Sequence, residues 1–244
     1  MLILLPPSET KRSGGVGISI DKQAIIWAAL DPARDQLVSA INKVLKSKTK
    51  AIKTLKLTKN SEAELEIMRC LMTAPTMPAI ERYTGTLFDA LDYQTLSDSA
   101  KERVRERLFI QSALFGLLPA TESIPNYRFS ATTSLPGLNL RQLWLKAHEA
   151  VWPRMVGPIL DMRSKSYVVL NPIPQRESYF VEVVDEQSGK ALNHFNKKAK
   201  GAFVRSAMEN NLKGVSDVPR IAKLAGLSSR QLDDVIEIVV PKGF

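Results

Sequence analysis

Short apolar runs, each followed by a polar loop or turn, are the feature that most constrains how this 244-residue chain can fold. The clearest are residues 2–5, 180–184 and 236–240, together with the start of 159–167, which predicts a strand with its exit loop. Runs of this length and composition predict β-strands. Helical patterns separate them at irregular intervals, so the sequence predicts an α+β fold rather than a regular doubly wound sheet.

Helix-start signals lie between the apolar runs. Asp31 followed by Pro32 begins one predicted helix, and Ser61 begins another with acidic residues in its first turn. The pattern also predicts helices from Thr86 and from Ser97. The remaining predictions are a short strand at 79–85, an amphipathic helix at 140–155, a hairpin loop at 185–189 with a returning strand at 190–195, and two short helices at 219–226 and 228–236.

A lysine-rich segment at about residues 46–60 separates the first two helices. It carries six lysines and no acidic residue before Glu62, with Thr and Ser between the charges and no aromatic side chain. This composition is typical of a solvated, mobile connector. The alternative is a basic arm that adds non-specific phosphate contacts.

Composition and charge narrow the classes of partner. The net charge of +9 and the pI of about 9.6 favour a polyanion such as nucleic acid as the partner.

A single cysteine, Cys70, excludes an internal disulfide and favours a reducing compartment, so we predict a cytoplasmic protein. No apolar run reaches the length of a membrane span, and the N-terminus lacks the features of a signal peptide.

No motif in the sequence predicts a metal or a cofactor. The two histidines, His148 and His194, have no recognisable metal-ligand spacing. The sequence contains no P-loop, no dinucleotide fingerprint and no Ser-His-Asp order with supporting context. We therefore predict neither a bound metal nor a cofactor.

The segment at 193–205 carries the strongest signal for a ligand. A strand-like run there passes into a helical pattern that holds Lys197, Lys198, Lys200 and Arg205, and no acidic residue lies between Lys190 and Met208. A helix N-terminus with added lysines favours an anion such as phosphate. The alternative is a solvated basic face on an ordinary helix.

Other polar side chains follow predicted strands or turns, where side chains from different parts of the chain converge. With the basic segment they form one predicted concave site for DNA or phosphate. The members of this predicted site are Lys11, Tyr83, Arg128, Ser164, Tyr167, Lys197, Lys198, Lys200 and Arg205.

Six stretches in order along the chain together resemble the YaaA family of peroxide stress proteins, in its actinobacterial-type branch. They are Leu-Ile-Leu-Leu-Pro-Pro-Ser-Glu-Thr-Lys at 2–11, Arg-Tyr-Thr-Gly at 82–85, Gln-Ser-Ala-Leu-Phe-Gly-Leu-Leu at 111–118, Ile-Pro-Asn-Tyr-Arg at 124–128, Asp-Met-Arg-Ser-Lys-Ser-Tyr at 161–167 and His-Phe-Asn-Lys-Lys-Ala-Lys-Gly at 194–201. The resemblance implies a single α+β domain over residues 1–244, with a mixed sheet surrounded by helices in an unusual topology.

The same resemblance implies a function. It implies double-stranded DNA binding through a positively charged cleft, and a cytoplasmic role in limiting peroxide damage that is linked to low free iron. It also places a helix-hairpin-helix at about 108–119, where Ala113 stands in a position that is often glycine in other members. From the residues alone, this apolar run predicts a buried strand equally well.

An enzyme that acts on a nucleobase or nucleotide is the alternative function. A glycosylase or lyase would use a lysine beside an acid, and the candidate catalytic residues are Lys197 or Lys198 with Asp161. Burial separates the two hypotheses. A lysine enclosed beside Asp161 favours chemistry, and lysines on an open groove favour phosphate binding.

Overall fold

A seven-stranded mixed sheet organises the described part of the chain. The computed structural model describes residues 1–20, 25–58, 61–190 and 195–244. The strands are β1 (Leu2–Leu5), β2 (Met77–Pro78), β3 (Leu108–Ser112), β4 (Gly116–Pro119), β5 (Ser123–Ile124), β6 (Ile159–Asp161), β7 (Ser178–Asp185), β8 (Ser228–Leu232) and β9 (Val235–Val240). The large sheet has the order β4-β3-β1-β6-β7-β9-β8, and β2 pairs with β5 in a separate two-stranded sheet.

Strand β1 lies in the middle of the large sheet, parallel to β3 on one side and to β6 on the other. Strands β6, β7 and β9 continue in parallel, and β4 and β8 pair antiparallel at the two edges. The chain runs to one side of β1 first and to the other side later. In sheets of this kind a crevice opens beyond the carboxyl ends of the strands where the order reverses. The predicted α+β fold with a mixed sheet is confirmed.

Helices surround the sheet. They are α1 (Asp31–Leu45), α2 (Lys48–Leu55), α3 (Ser61–Arg69), α4 (Ala79–Arg82), α5 (Thr86–Leu91), α6 (Asp98–Arg107), α7 (Leu140–His148), α8 (Lys165–Leu170), α9 (Phe195–Glu209) and α10 (Val218–Leu224). The start signals for α1, α3, α5 and α6 are confirmed. At α6, the Ser97 hydroxyl accepts a hydrogen bond from the backbone N–H of Ala100, which satisfies a donor that the helix itself leaves free.

Three predicted elements differ from the structure. Residues 79–82 form helix α4 rather than a strand, and Ala79 and Ile80 are buried there. Residues 228–232 form strand β8 rather than a helix, because a tight turn at Asp233 pairs them with β9. Helix α7 ends at His148, ahead of a short 3-10 turn that contains Pro153, so it is shorter than the predicted 140–155. The predicted returning strand falls mostly on 191–194, outside the described residues.

The lysine-rich segment is not the mobile connector that its composition predicts. Most of it is helix α2, which begins after Ser47, whose hydroxyl accepts from the backbone N–H of Lys50. Ala51 and Leu55 are one turn apart and are buried, so α2 packs through this apolar stripe against α1 and α3. The prediction was wrong because the lysines point away from the stripe and dominate the composition.

The expected helix-hairpin-helix at 108–119 is a β-hairpin. Strands β3 and β4 pair antiparallel with Phe109 opposite Pro119 and Ser112 opposite Gly116. All of β3 is buried, which explains why an uninterrupted apolar run forms a strand here. Gly116 has φ +78°, and a Cβ on it would lie 2.9 Å from the side chains of Leu30 and Trp144.

A buried histidine makes the stability of this fold sensitive to pH. His148 Nε2 accepts a 3.1 Å hydrogen bond from the Leu117 N–H, and Nδ1 lies 2.8 Å from the Trp144 carbonyl oxygen, so the ring is neutral. Burial lowers the pKa of His148 to about 4. An unfolded histidine binds a proton below about pH 6.5, so the folded state should lose about 2 kcal/mol as the pH falls to about 5.

Thermal or denaturant unfolding at pH 7 and pH 5 measures this loss. The variant His148→Gln removes the titrating ring but keeps a polar side chain beside Leu117. We expect the variant to lose less stability than the native chain over this interval. Equal pH dependence in the two proteins would contradict the assignment.

Candidate functional site

A cleft lies at the carboxyl ends of β1 and β6, where the strand order predicts a crevice. Its larger part is a cavity of about 500 Å³. The loops after the two strands meet there with the start of α5, the segment at 130–132 and the start of α9. Its polar lining residues are Ser8, Glu9, Thr10, Thr84, Thr86, Ser130, Thr132, Ser164, Ser166, Tyr167 and Lys197. Hydroxyl groups therefore dominate the polar surface of this cavity.

A second cavity of about 210 Å³ adjoins the first and shares Glu9, Ser130 and Thr132 with it. The smaller cavity adds three cationic side chains to the cleft, those of Lys11, Lys56 and Arg128. The two cavities together thus combine hydroxyls with clustered positive charge.

Lys11 has the most unusual environment in the cleft. Its Nζ donates hydrogen bonds to the carbonyl oxygens of Ser8 at 3.0 Å and Glu9 at 3.3 Å. The same nitrogen lies 4.3 Å from the centre of the Tyr127 ring and 5.5 Å from that of Tyr83. Burial and, to a smaller extent, the neighbouring Arg128 guanidinium together lower the pKa of Lys11 to about 7.

Two tyrosines form the floor beneath Lys11. The Tyr83 and Tyr127 hydroxyls share a hydrogen bond of 2.7 Å, and Tyr127 shares another of 2.8 Å with the Ser112 hydroxyl. Both rings are almost completely buried, and burial raises the pKa of each phenol. Tyr83 therefore supports the cleft from below rather than lining it.

Arg82 holds the loop that carries Lys11. It is fully buried, and its guanidinium donates to the carbonyl oxygens of Arg12, Gly14, Pro75 and Ile124. Burial lowers its pKa to about 10, which leaves it charged at neutral pH. Because a guanidinium has five donors in a fixed plane, this one residue ties the loop to three other segments.

Gly85 lets two segments of the cleft approach closely. Its φ of +97° is a conformation that residues with a side chain rarely adopt. A Cβ here would lie 3.2 Å from the Thr10 hydroxyl and 3.5 Å from that of Ser8. Glycine thus keeps the hydroxyls of the β1 loop against the start of α5.

Arg128 is positioned by an ion pair. Its guanidinium binds the Glu64 carboxylate through Nε at 2.7 Å and through Nη2, and Nη1 donates to the Glu9 carbonyl at 2.9 Å. Lys56 donates from Nζ to the carbonyl oxygen of Thr132 at 3.0 Å. Lys56 was missed in the sequence because it lay in the presumed connector, although the apolar spacing of α2 is a signal that could have placed it.

The basic residues of α9 point in different directions. Lys197 is exposed and lines the larger cavity. Lys198 is exposed, with Nζ 4.7 Å from the centre of the Phe244 ring. Lys200 is buried and donates to the Met162 carbonyl at 2.9 Å, and burial lowers its pKa to about 8. Arg205 donates to the carbonyl oxygens of Leu91 and Asp92 at the end of α5.

The structure thus brings part of the predicted site together. Lys11, Arg128, Ser164, Tyr167 and Lys197 line the two cavities, with Tyr83 beneath them. Lys198, Lys200 and Arg205 do not line either cavity. Lys200 and Arg205 have structural roles, because their side chains donate hydrogen bonds to backbone carbonyl oxygens of neighbouring segments.

Gly201 fixes α9 over the cleft. A Cβ at this position would lie 2.2 Å from the Leu87 carbonyl oxygen and 2.8 Å from the Ala90 side chain. Helix α9 can therefore cross α5 at close range only with glycine here. This crossing holds Lys197, one turn earlier, at the edge of the larger cavity.

The Asp161 carboxylate forms a buried ion pair with Arg163. Its two carboxylate oxygens accept from Arg163 Nε at 2.8 Å and Nη2 at 2.7 Å, and both side chains are almost fully buried. Arg163 also donates to the Asn171 carbonyl at 2.8 Å. The lysine whose charge interacts with Asp161 is Lys200, not the exposed Lys197 or Lys198.

The described residues offer neither a metal site nor a membrane-spanning helix. Within 1–20, 25–58, 61–190 and 195–244, no group of three or more His, Cys, Asp or Glu side chains is arranged to hold a metal ion. In the same ranges, no helix has the length and apolar character needed to cross a membrane.

The fold and the cleft define an α+β protein with a hydroxyl-lined crevice at the carboxyl ends of parallel strands. Comparison with known proteins identifies the family. Residues 1–231 match the family described as peroxide stress protein YaaA. The chain therefore belongs to the YaaA family of peroxide stress proteins.

Relatives from actinobacteria support the actinobacterial-type branch. A UPF0246 protein of Corynebacterium glutamicum strain R is 38% identical over 238 residues, which cover 93% of this chain and 94% of the relative. A UPF0246 protein of Streptomyces coelicolor is 34% identical over 216 residues, covering 85% and 83%. An uncharacterized protein of Campylobacter jejuni is 24% identical over 247 residues, covering 98% and 99%.

Proposed function

We propose that the chain binds double-stranded DNA, or another phosphate-bearing ligand, in the cytoplasmic response to peroxide stress, and that the cleft is its phosphate-binding site. One observation carries the proposal. Lys11, Lys56 and Arg128 surround one small cavity, and Lys197 lies on the hydroxyl-lined cavity that adjoins it. Lysine, arginine and hydroxyl side chains are the groups that contact phosphate oxygens in protein–DNA complexes.

The charge balance of the cleft supports an anionic ligand. Glu64 offsets the charge of Arg128, and Glu9 lies on the shared wall of the two cavities. Lys56 and Lys197 have no ion pair with an acidic side chain in the part of the chain that the structure describes. The excess of positive charge attracts phosphate, and the net charge of +9 strengthens that attraction at longer range.

The size of the cleft decides how a duplex would bind. The major groove of B-DNA alone is about 12 Å wide, and the whole duplex is wider still. A duplex therefore does not fit inside a cavity of about 500 Å³. A duplex would therefore lie across the mouth of the cleft and present backbone phosphates to it. Contacts of this kind position the DNA but carry little sequence information. We accordingly expect weak sequence dependence.

The alternative of a nucleobase or nucleotide enzyme that uses Lys197 or Lys198 with Asp161 has less support. The carboxylate of Asp161 is buried and bound by Arg163, while both lysines are exposed. A general base or nucleophile must reach its partner or its substrate within hydrogen-bond distance. The geometry favours binding through the open cleft over chemistry by this pair.

Amine footprinting tests the proposal. The lysines of the native protein are acetylated with and without a short duplex, and each site is quantified by mass spectrometry. We expect the duplex to protect Lys56 and Lys197, with Lys11 protected where it reacts, because phosphates would occupy the cleft. Lys223, exposed on α10 and not lining either cavity, is the internal control. Protection of Lys223 without protection of the cleft lysines would contradict the proposal.

A further inference from the structure

Lys11 occupies a setting that a phosphate-binding lysine does not need. Its nitrogen lies in the smaller cavity, between two backbone carbonyls and the faces of two buried tyrosine rings. The ion pairs found in the described ranges do not include Lys11. A lysine that only attracted phosphate would be better placed at the surface, where its charge is solvated.

The hydrogen bonds of Lys11 leave one position on its nitrogen free. The Ser8 and Glu9 carbonyl oxygens accept two hydrogen bonds from Nζ. In the neutral amine the third position is a lone pair, which is the nucleophilic part of the group, and in the ammonium form it is a third N–H, which the ring faces of Tyr127 and Tyr83 favour. Around the amine, Arg128 and Arg82 disfavour its protonated form and Glu9 favours it, and burial has the largest effect.

We propose that Lys11 is a nucleophile that forms an imine with an aldehyde carrying a phosphate group. Nζ attacks the aldehyde carbon, the N–C bond forms as the C=O π bond breaks, and one proton moves from the nitrogen to the oxygen. The carbinolamine then loses its hydroxyl group and the remaining N–H proton as water to give the imine. No oxidant or reductant is needed, and hydrolysis reverses the step.

The other groups of the cavity fit this class of substrate. Arg128 and Lys56 line the same cavity and would hold the phosphate, which places the aldehyde carbon beside Nζ. The Ser112–Tyr127–Tyr83 hydroxyl chain fixes the two rings under Lys11, so these are positioning residues. The DNA-borne member of the class is the ring-opened deoxyribose of an abasic nucleotide. That part of the proposal rests on the proposed function, and imine formation itself does not.

Reductive trapping tests the proposal on the native chain. The protein is mixed with glycolaldehyde phosphate and sodium cyanoborohydride, and the modified lysines are mapped by mass spectrometry. At pH 7 a lysine with a pKa of about 7 is about half neutral, against about one part in two thousand for an unperturbed lysine. Because a less basic amine is also a weaker nucleophile, we expect trapping at Lys11 to be on the order of ten- to a hundredfold faster than at Lys223.

Two variants are the controls for the trapping experiment. Lys11→Arg should abolish the fast trapping while its fold stays intact by thermal melt, and Lys223→Arg should leave the rate of trapping at Lys11 unchanged. Trapping at Lys11 that is no faster than at Lys223, or that rises only near pH 10, overturns the proposal, and this comparison within the native chain needs no variant to fold.

The second comparison uses two DNA substrates, a duplex containing one abasic site and an intact duplex. Trapping of the small aldehyde without the abasic duplex would overturn only the DNA-borne substrate. Affinity for the intact duplex is measured without cyanoborohydride, and it tests the proposed DNA binding separately from imine formation.

Discussion

Replacing Arg163 by Met should lower the free energy of unfolding by about 3–5 kcal/mol, because it leaves a buried carboxylate without its partner. Asp161 is 4% exposed and Arg163 is fully buried. The guanidinium makes two hydrogen bonds to the carboxylate, a third to the Asn171 carbonyl oxygen and a fourth of 3.3 Å to the Gln111 amide oxygen. Methionine fills much of the same volume but offers no side-chain donor, so all four are lost, while Asp161 keeps the hydrogen bond from the backbone N–H of residue 163. Denaturant titration at pH 7 measures the loss.

Two further variants show whether the loss comes from the buried charge. Asp161→Asn combined with Arg163→Met removes that charge and should recover part of the stability. Lys165→Met removes an ion pair with Glu182 in which the lysine is 84% exposed, and it should change stability by less than about 1 kcal/mol. Similar losses from Arg163→Met and Lys165→Met would show that the pair contributes little to the fold.

Affinity for duplex DNA should fall on the order of a thousandfold between about 50 and 200 mM salt. The proposed contacts are made to backbone phosphates, and each such contact releases counterions that salt drives back. The cleft supplies Lys56, Arg128 and Lys197, and a thousandfold loss over this interval corresponds to about six neutralised phosphates in all. Equilibrium binding of two duplexes of unrelated sequence at four salt concentrations gives the slope and the sequence dependence together.

The slope separates phosphate contacts from other modes of binding. A log–log plot that falls steeply and alike for both duplexes is the expected result. A flat plot would exclude binding dominated by phosphate. A large difference between the two duplexes would indicate base recognition, for which the cleft provides no inserted helix.

Several inner strands of the sheet could be predicted from the sequence. Residues 2–5, 159–161 and 236–240 are mostly apolar, and each forms a strand. Residues 228–232 could not be predicted, because their mostly exposed side chains carry no periodicity. They become a strand only through pairing with β9, a tertiary interaction that local propensity does not contain.

The convergence of the cleft was predictable in part. Lys11 and Ser164 follow β1 and β6, and the parallel pairing of these strands brings both loops to one edge of the sheet. The directions of Lys200 and Arg205 were not predictable. They share helix α9 with Lys197, yet helical geometry turns them toward β6 and α5 instead.

The most direct test of the cleft as the phosphate-binding site compares the salt dependence of two single-lysine variants. Lys197→Gln removes a cleft charge, and Lys223→Gln removes an exposed charge that lines neither cavity. With folding checked by thermal melt, we expect Lys197→Gln to weaken duplex binding and to reduce the salt slope by about 1, while Lys223→Gln leaves both unchanged. Equal effects of the two substitutions, or a larger effect of Lys223→Gln, would contradict the assignment of the cleft.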